Sequence, residues 1–308
     1  MTLVILLSRQ TFLYAVPLLL IAQGGLFSQR GGIGGLALPG FALSGALASL
    51  WMLGLAAPHM GVLGRLILSA GAAMAAGALM AGLYALATAC LRGEQTVCAM
   101  GLNLLAWALA RRALPGLAAS AFQALYAEQV PLLGGIPVLG PILFQNVPAS
   151  LYLALLACAV SAGMLRRSRL GLRLRACGDN PESADVSGVA VGKTRALGVL
   201  ISGCLAGLGG SALAASLNAP LNAAWIGQGL LALAVLAAGR RRSLRMIPAA
   251  LFIGFMQAGA QTGLGLGETP LPEELRGLLP YVAALPWLAV AAHGPERDRP
   301  LANGLWNE

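Results

Sequence analysis

Charge is scarce in this chain: Asp, Glu, Lys and Arg make up 10% of its 308 residues, against roughly 25% in an average soluble domain. With 58% hydrophobic residues, there are too few polar side chains to cover a water-facing surface, which excludes a soluble globular domain. Aromatic residues are few as well, at 6%, whereas Gly alone occurs 41 times. The apolar content is therefore largely small side chains, which let helix backbones approach closely in lipid. The short polar–apolar alternation of an outer-membrane barrel is missing, leaving an all-α polytopic membrane protein as the expected fold. The cysteines (Cys90, Cys98, Cys158, Cys177, Cys204) contain no CxxC and have no histidine nearby, so neither a zinc site nor a redox pair is indicated. They read as small buried hydrophobes. His59 and His293 stand at segment ends and read as interfacial residues. Membrane-depth acid pairs are absent too: Asp179, Asp185 and Asp298 fall outside the apolar runs, and Glu94, Glu128 and Glu268 lie in or near links. That argues against an intramembrane enzyme.

What is present is a succession of apolar segments, at about 11–27, 37–57, 64–91, 95–114, 147–165, 194–216, 226–239, 246–263 and 278–293. Each spans, or nearly spans, a hydrocarbon core of ~30 Å, so about eight to ten transmembrane helices are expected in one domain covering residues 1–308. The N-terminus lacks the basic cluster and small-residue cleavage site of a signal peptide, and the first helix is read as retained. Trp51, Trp225 and Trp287 near segment ends read as interface anchors.

The net charge of +9 resides mostly in short links between apolar runs. It reports topology rather than a nucleic-acid partner, because cytoplasmic loops concentrate Lys and Arg. Arg166, Arg167, Arg169, Arg173 and Arg175, then Lys193 and Arg195, then Arg240, Arg241, Arg242 and Arg245 mark cytoplasmic links. Alternation places Arg30 and the C-terminus on the same side and a Pro- and Gly-rich loop, about 115–146, outside. It also leaves Arg111 and Arg112 near the outer face, against the rule.

The longest polar link, about 166–193, contains a helix start: Asn180 can cap exposed amides, Pro181 suits the first turn, and Glu182 favours the positive end of the dipole. A helix from Pro181 to about Ser187, stopped by Gly188, is expected. A short capped helix between two spans can dock as a lever in a groove of a motor subunit.

At this point the sequence resembles a known family. RACGDNPESADVSGVAVGKTRALGVLISGCLAGLGGSALA, from Arg175 to Ala214, is similar to the permease signature of ATP-binding-cassette importers for branched-chain amino acids, simple sugars and nucleosides. LLLIAQGGLFSQRGGIGGLALPGFALSGAL (Leu18–Leu47), GIPVLGPILFQNVPASLYLAL (Gly135–Leu155), WIGQGLLALAVLAAGRRRSLRMIPAALFIGFMQAGAQ (Trp225–Gln261) and LPYV (Leu279–Val282) look like the nucleoside-type members, guanosine and uridine permeases among them. The resemblance implies a broken second helix and a multi-pass protein of the bacterial inner membrane. It further implies a second related permease chain, two ATP-binding-cassette domains and a substrate-binding protein as partners, alongside membrane lipid. In the coupling loop, Arg175, Gly178, Asn180, Pro181, Glu182, Ala184 and Gly188 occupy the family pattern, with Asp179 where relatives carry Glu. No GxxxxGK[ST] motif occurs, so no cofactor is expected on this chain and ATP is expected to be used by the partner subunits.

The solute path departs from the family. Nucleoside-type relatives typically carry Asn and then Glu where this chain has Gly35 and Pro39. Polar residues in apolar surroundings are costly without a partner, which marks Ser44, Asn103, Gln257 and Gln261, with Gly35 and Pro39, as candidates for the pathway. Gln257 and Gln261 are four apart and share a helix face. Few charges in the spans favour a neutral passenger such as a nucleoside, base or sugar. Branched-chain amino acids or simple sugars are the alternative passengers, and a structural partner to a more active permease chain is the alternative role.

Overall fold

The computed structural model describes residues 2–55, 62–90, 93–113, 150–217, 224–262 and 273–292, and the external-loop expectation for 115–146 lies outside them, as do His59 and His293. The elements are α1 (Thr2–Arg30), a 3-10 turn (Gly35–Ala37), α2 (Leu38–Leu55), α3 (Val62–Ala85) running into a π-turn (Leu86–Cys90), α4 (Gln95–Ala113), α5 (Ser150–Arg167), α6 (Arg169–Asp179), α7 (Pro181–Val186), α8 (Val191–Leu217), α9 (Ala224–Ala238), α10 (Ser243–Thr262) and α11 (Glu273–Ala292). No strand occurs among the described residues. Helices are what these runs must form, since only a helix satisfies its own backbone groups in lipid.

The apolar segments and the long helices coincide one for one. Among the described residues, five stretches are long and apolar enough to cross a membrane on length and composition: Leu7–Arg30, Gly35–Leu55, Gly64–Thr88, Val191–Ala215 and Ser243–Gln261. Gly227–Ala238 and Gly277–Ala289 are shorter apolar helices. The remaining two, α4 and α5, each close on an arginine pair, Arg111–Arg112 and Arg166–Arg167. The break expected in the second helix is a change of winding at its entry: Gly35–Ala37 is a 3-10 turn, and the α-helix continues from Leu38 to Leu55.

Helix α8 is central, and its glycines explain why. A Cβ at Gly207 would strike the Ala73 carbonyl of α3, one at Gly203 the Gly77 backbone, one at Gly210 the Ala42 carbonyl of α2, and one at Gly209 the backbone of Ile21 in α1. Gly24 answers from α1, its Cβ position lying 2.6 Å from the Ser202 carbonyl. Backbones this close gain dispersion contacts that larger side chains would forbid, which is how helices associate where lipid removes the hydrophobic drive.

Those contacts also give directions. Gly198 meets Phe27, and Gly209 meets Ile21, so α1 and α8 are antiparallel. Gly254 meets Thr11 and Ala15 while Ser243 bonds Gln23, which sets α10 antiparallel to α1. Gln95 bonds Gly34 and Asn103 bonds Gly40, so α4 runs alongside α2. The long helices therefore alternate, and Arg30, Arg195 and Arg241 come to one end, as the charge pattern required. Exposed Arg111 and Arg112 stand at the other.

Candidate functional site: coupling face and solute pathway

On the arginine-rich face, two short helices form the link between α5 and α8. Ser168 opens α6, its side chain accepting from the Gly171 N–H at 3.0 Å, and Gly171, Leu174 and Cys177 form the buried face. Asn180 then works twice: its N–H donates to the Ala176 carbonyl at 3.0 Å, closing α6, and its Oδ1 accepts from the Ser183 N–H at 3.1 Å, opening α7. Pro181 fills the first turn beside Glu182. Gly188, at φ 80°, ends α7 with two bonds: its own N–H donates to the Asp185 carbonyl at 2.8 Å, and the Val189 N–H donates to Ala184 at 3.0 Å. That reverse-turn pair needs a left-handed residue, which Gly provides without steric cost. Ala184 is the buried point of α7, at 3% exposure, whereas Val186 is 91% exposed.

Three arginines tie this link to the helix ends beside it. Arg195, near the start of α8, donates from Nε to the Gly31 carbonyl at 3.0 Å and from Nη2 to the Cys177 carbonyl at 3.2 Å. One rigid guanidinium thus bridges the α1–α2 corner and α6. Gly178 packs on the Arg30 carbonyl, and Gly32, at φ 82°, faces Gly178. Arg30 donates from Nε to the Arg241 carbonyl at 3.1 Å, and Arg241 pairs with Asp179 at 3.3 Å. That pair is largely exposed on its acidic side and contributes at most ~1 kcal/mol. The α9–α10 turn that carries it holds Arg240 and Arg241 at φ 44° and 61°, a conformation that costs a non-glycine residue of order 1 kcal/mol or more each.

The coupling residues expected from sequence thus divide. Asn180, Pro181, Glu182, Ala184 and Gly188 build α7, Gly178 and Asp179 touch the α1–α2 corner and the α9–α10 turn, and Arg175 bonds back to Gly171 of its own helix at 3.2 Å. Arg30, Arg195 and Arg241 were read from sequence as topology markers alone. The reach of Arg30 and Arg195 to carbonyls, and of Arg241 to the Asp179 carboxylate, has no sequence signature.

The pathway candidates gather in part. Gly35, Pro39 and Asn103 meet at the entry of α2. Asn103 donates from Nδ2 to the Leu36 carbonyl at 2.9 Å and accepts at Oδ1 from the Gly40 N–H at 2.8 Å. In a continuous α-helix those two groups would bond each other; here the amide stands between them and bridges the 3-10 turn to α2. Gly40 must lack a Cβ, since one would sit 2.7 Å from Asn103 Oδ1. Gly35 and Pro39 pack on α9, against Leu236 and Gly229, and present no polar group. Ser44, farther along α2, donates to the Phe41 carbonyl at 2.9 Å and borders an apolar recess of about 390 Å³ between α2, α3 and α4. Gln257 is buried and Gln261 exposed on α10, so the shared helix face does not give them a shared environment. Elsewhere, buried Gln23 accepts from Ser161 and Ser243, both at 2.9 Å, joining α1, α5 and α10. Trp51 is 64% exposed, as an anchor would be, while Trp287 stacks on Phe252 with ring centres 4.9 Å apart. Among the described residues no group of three His, Cys, Asp or Glu side chains could hold a metal ion.

Known proteins align with this arrangement over nearly its whole length. The family described as branched-chain amino acid transport system, permease component, matches residues 9–285. The guanosine ABC transporter permease protein NupQ of Bacillus subtilis is 35% identical over 96% of this chain and 94% of its own length. The nucleoside ABC transporter permease protein NupC of Lactococcus lactis is 32% identical over 90% and 89%. A more distant relative, the glucose ABC transporter permease protein TsgB13 of Haloferax volcanii, is 28% identical over 80% and 67%. With its alternating apolar helices and its arginine-rich face, the chain belongs to the branched-chain amino acid transport system permease family and is a multi-pass permease subunit of an ABC transporter in the inner membrane.

Proposed function

We propose that this chain carries nucleosides into the cell as one of two related permease subunits, forming a single transmembrane domain with the link 166–193 on the cytoplasmic side. ATP is hydrolysed on two separate ATPase domains, and a substrate-binding protein delivers the solute. The passenger reading rests on the two relatives that cover almost all of the chain, both named for nucleoside or guanosine transport.

The observation that supports the coupling role is the build of α7. It is capped at both ends by its own residues, seated through Ala184, and offers Val186 uncovered at its tip. A rigid, capped helix with a bare apolar side chain is what a groove on a motor domain can grip. Through Arg195, displacement of α6 and α7 would pull on Gly31 and hence on the entry of α2. Alternating access would follow from that pull on a helix whose first turn is already wound differently from the rest.

One observation favours a second reading. Gly35 and Pro39 are spent on packing against α9, which fits a chain that shapes the complex while its partner makes most solute contacts.

The test is ATP hydrolysis by the purified full complex with loaded binding protein. Nucleosides are expected to stimulate turnover, and Gly188→Val or a bulky residue at Glu182 to abolish stimulation while the complex stays assembled. Normal stimulation in those variants places the motor contact elsewhere.

A further inference from the structure

Two buried glutamines stand out by what their amides do not bond. Gln228 on α9 and Gln257 on α10 are each 5% exposed, and Oε1 of both lacks a hydrogen-bond partner. Gln23, equally buried, shows the usual resolution: two serine hydroxyls donate to its Oε1. A buried amide oxygen without a donor is unfavourable in any protein and more so in the hydrocarbon zone, so two on adjoining helices call for a ligand.

The fold sets them at one height. Gly239 at the end of α9 packs on Met246 near the start of α10. Gln228 lies 11 residues before Gly239 (239 − 228) and Gln257 lies 11 after Met246 (257 − 246). Eleven residues are close to three whole helical turns, about 16 Å, and return each side chain to the face on which the helices meet. Helix α11 gives a second ruler. The Tyr281 hydroxyl lies against Gly227, next to Gln228, and Trp287 stacks on Phe252, five residues before Gln257. Counting five residues back along antiparallel α11 from Trp287 reaches position 282. Both rulers bring the two glutamines level with Tyr281, about one turn inside the outer ends of α9 and α10.

We propose that Gln228 and Gln257 form a solute-recognition site in the outward half of the permease, where α9, α10 and α11 meet, and that it binds the N–H and O–H donors of a nucleoside. The proposal rests on the nucleoside reading above. Among the described residues neither amide has a hydrogen-bond partner at its oxygen or its nitrogen, so each offers an acceptor beside a donor, and the site favours a ligand that presents both along one edge: a guanine, with its carbonyl, ring N–H and exocyclic amino group. Inosine keeps the ring N–H but lacks the amino group. It therefore leaves one acceptor unmet, and a site built to take a donor rejects the analogue that lacks it.

Uptake of guanosine and inosine by the complete transporter in vesicles, with the binding protein present, tests this. Gln228→Leu and Gln257→Leu are each expected to raise the KM for guanosine ~10-fold or more and to move the guanosine-to-inosine preference toward parity. Gln→Met at both positions keeps side-chain length without polarity and replaces any leucine variant that fails to assemble. An assembled variant with unchanged KM and unchanged preference overturns the site and leaves the two amides to internal water. A wild-type complex that takes up neither nucleoside overturns the nucleoside reading itself, before any variant is compared.

Discussion

Asn103 shows how one side chain can decide the conformation of another helix. Its amide satisfies one carbonyl and one N–H of the α2 entry at once, at a point where Pro39 brings no N–H of its own. Replacing it by Leu leaves both backbone groups without this partner, and the more enclosed of them, the Gly40 N–H, loses the bond at ~1–3 kcal/mol. Asn103→Leu is therefore expected to lower the melting temperature of the purified complex by several degrees, with Asn103→Asp, which keeps the acceptor for Gly40, falling between. Equal melting of all three proteins would mean that the α2 entry holds itself. Sequence could flag Asn103, because a polar residue in mid-span must face something. Its actual partner was illegible, since the partner is backbone exposed by a 3-10 turn in a different helix. Gln257 and Gln261 teach the converse: spacing put them on one face, yet burial separates them, because only neighbouring helices decide which part of a face is covered.

At the scale of elements, α7 was the most legible part of the chain. Asn180, Pro181, Glu182 and Gly188 act through contacts within their own turn, so their spacing carries the start and stop, and the helix ends at Val186 with Ser187 as its cap. Helix α6 was not foreseen as a helix. Leu170, Leu172 and Leu174 alternate with Gly171 and Arg173, and the face that counts (Gly171, Leu174, Cys177) appears once α5 and α8 are packed against it. Helix α8 was expected from its apolar run at about 194–216. The job of its glycines came from the crossings with α1, α2 and α3, which is contact information that no local pattern holds. Gly207→Leu is expected to prevent accumulation of the permease in the membrane, because the side chain would have to enter the Ala73 and Gly77 backbones. Gly192→Leu, in the same helix with open space around it, should accumulate normally. Equal membrane yields of the two variants would show that the close crossings do not hold the bundle.

Across the whole molecule, sparse charge does more than orient the chain. Arg30, Arg195 and Arg241 end up on one face: Arg195 binds carbonyls of the α1–α2 corner and α6, Arg30 binds the Arg241 carbonyl in the α9–α10 turn, and Arg241 pairs with the Asp179 carboxylate, so basic residues of the links also fasten the α5–α8 link to the bundle. That these arginines share one end of the bundle was readable from the composition of the links, because a bilayer sorts Lys and Arg by side. The fastening was not, since it depends on how the helix ends converge. Passenger identity was the least legible feature: Gly35 and Pro39 stand where the family resemblance leads one to expect polar side chains, and although Gln257 was legible as a pathway candidate, its setting beside Gln228 depends on how α9 and α10 pack. The most direct measurement is accumulation of labelled guanosine, leucine and glucose by vesicles holding this chain, its partner permease, the ATPase subunits and the binding protein, with ATP inside the motor compartment or with a non-hydrolysable analogue. ATP-dependent accumulation of guanosine, without leucine or glucose, is the predicted result; accumulation of leucine or glucose in its place, or guanosine entry that persists with the analogue, would contradict it.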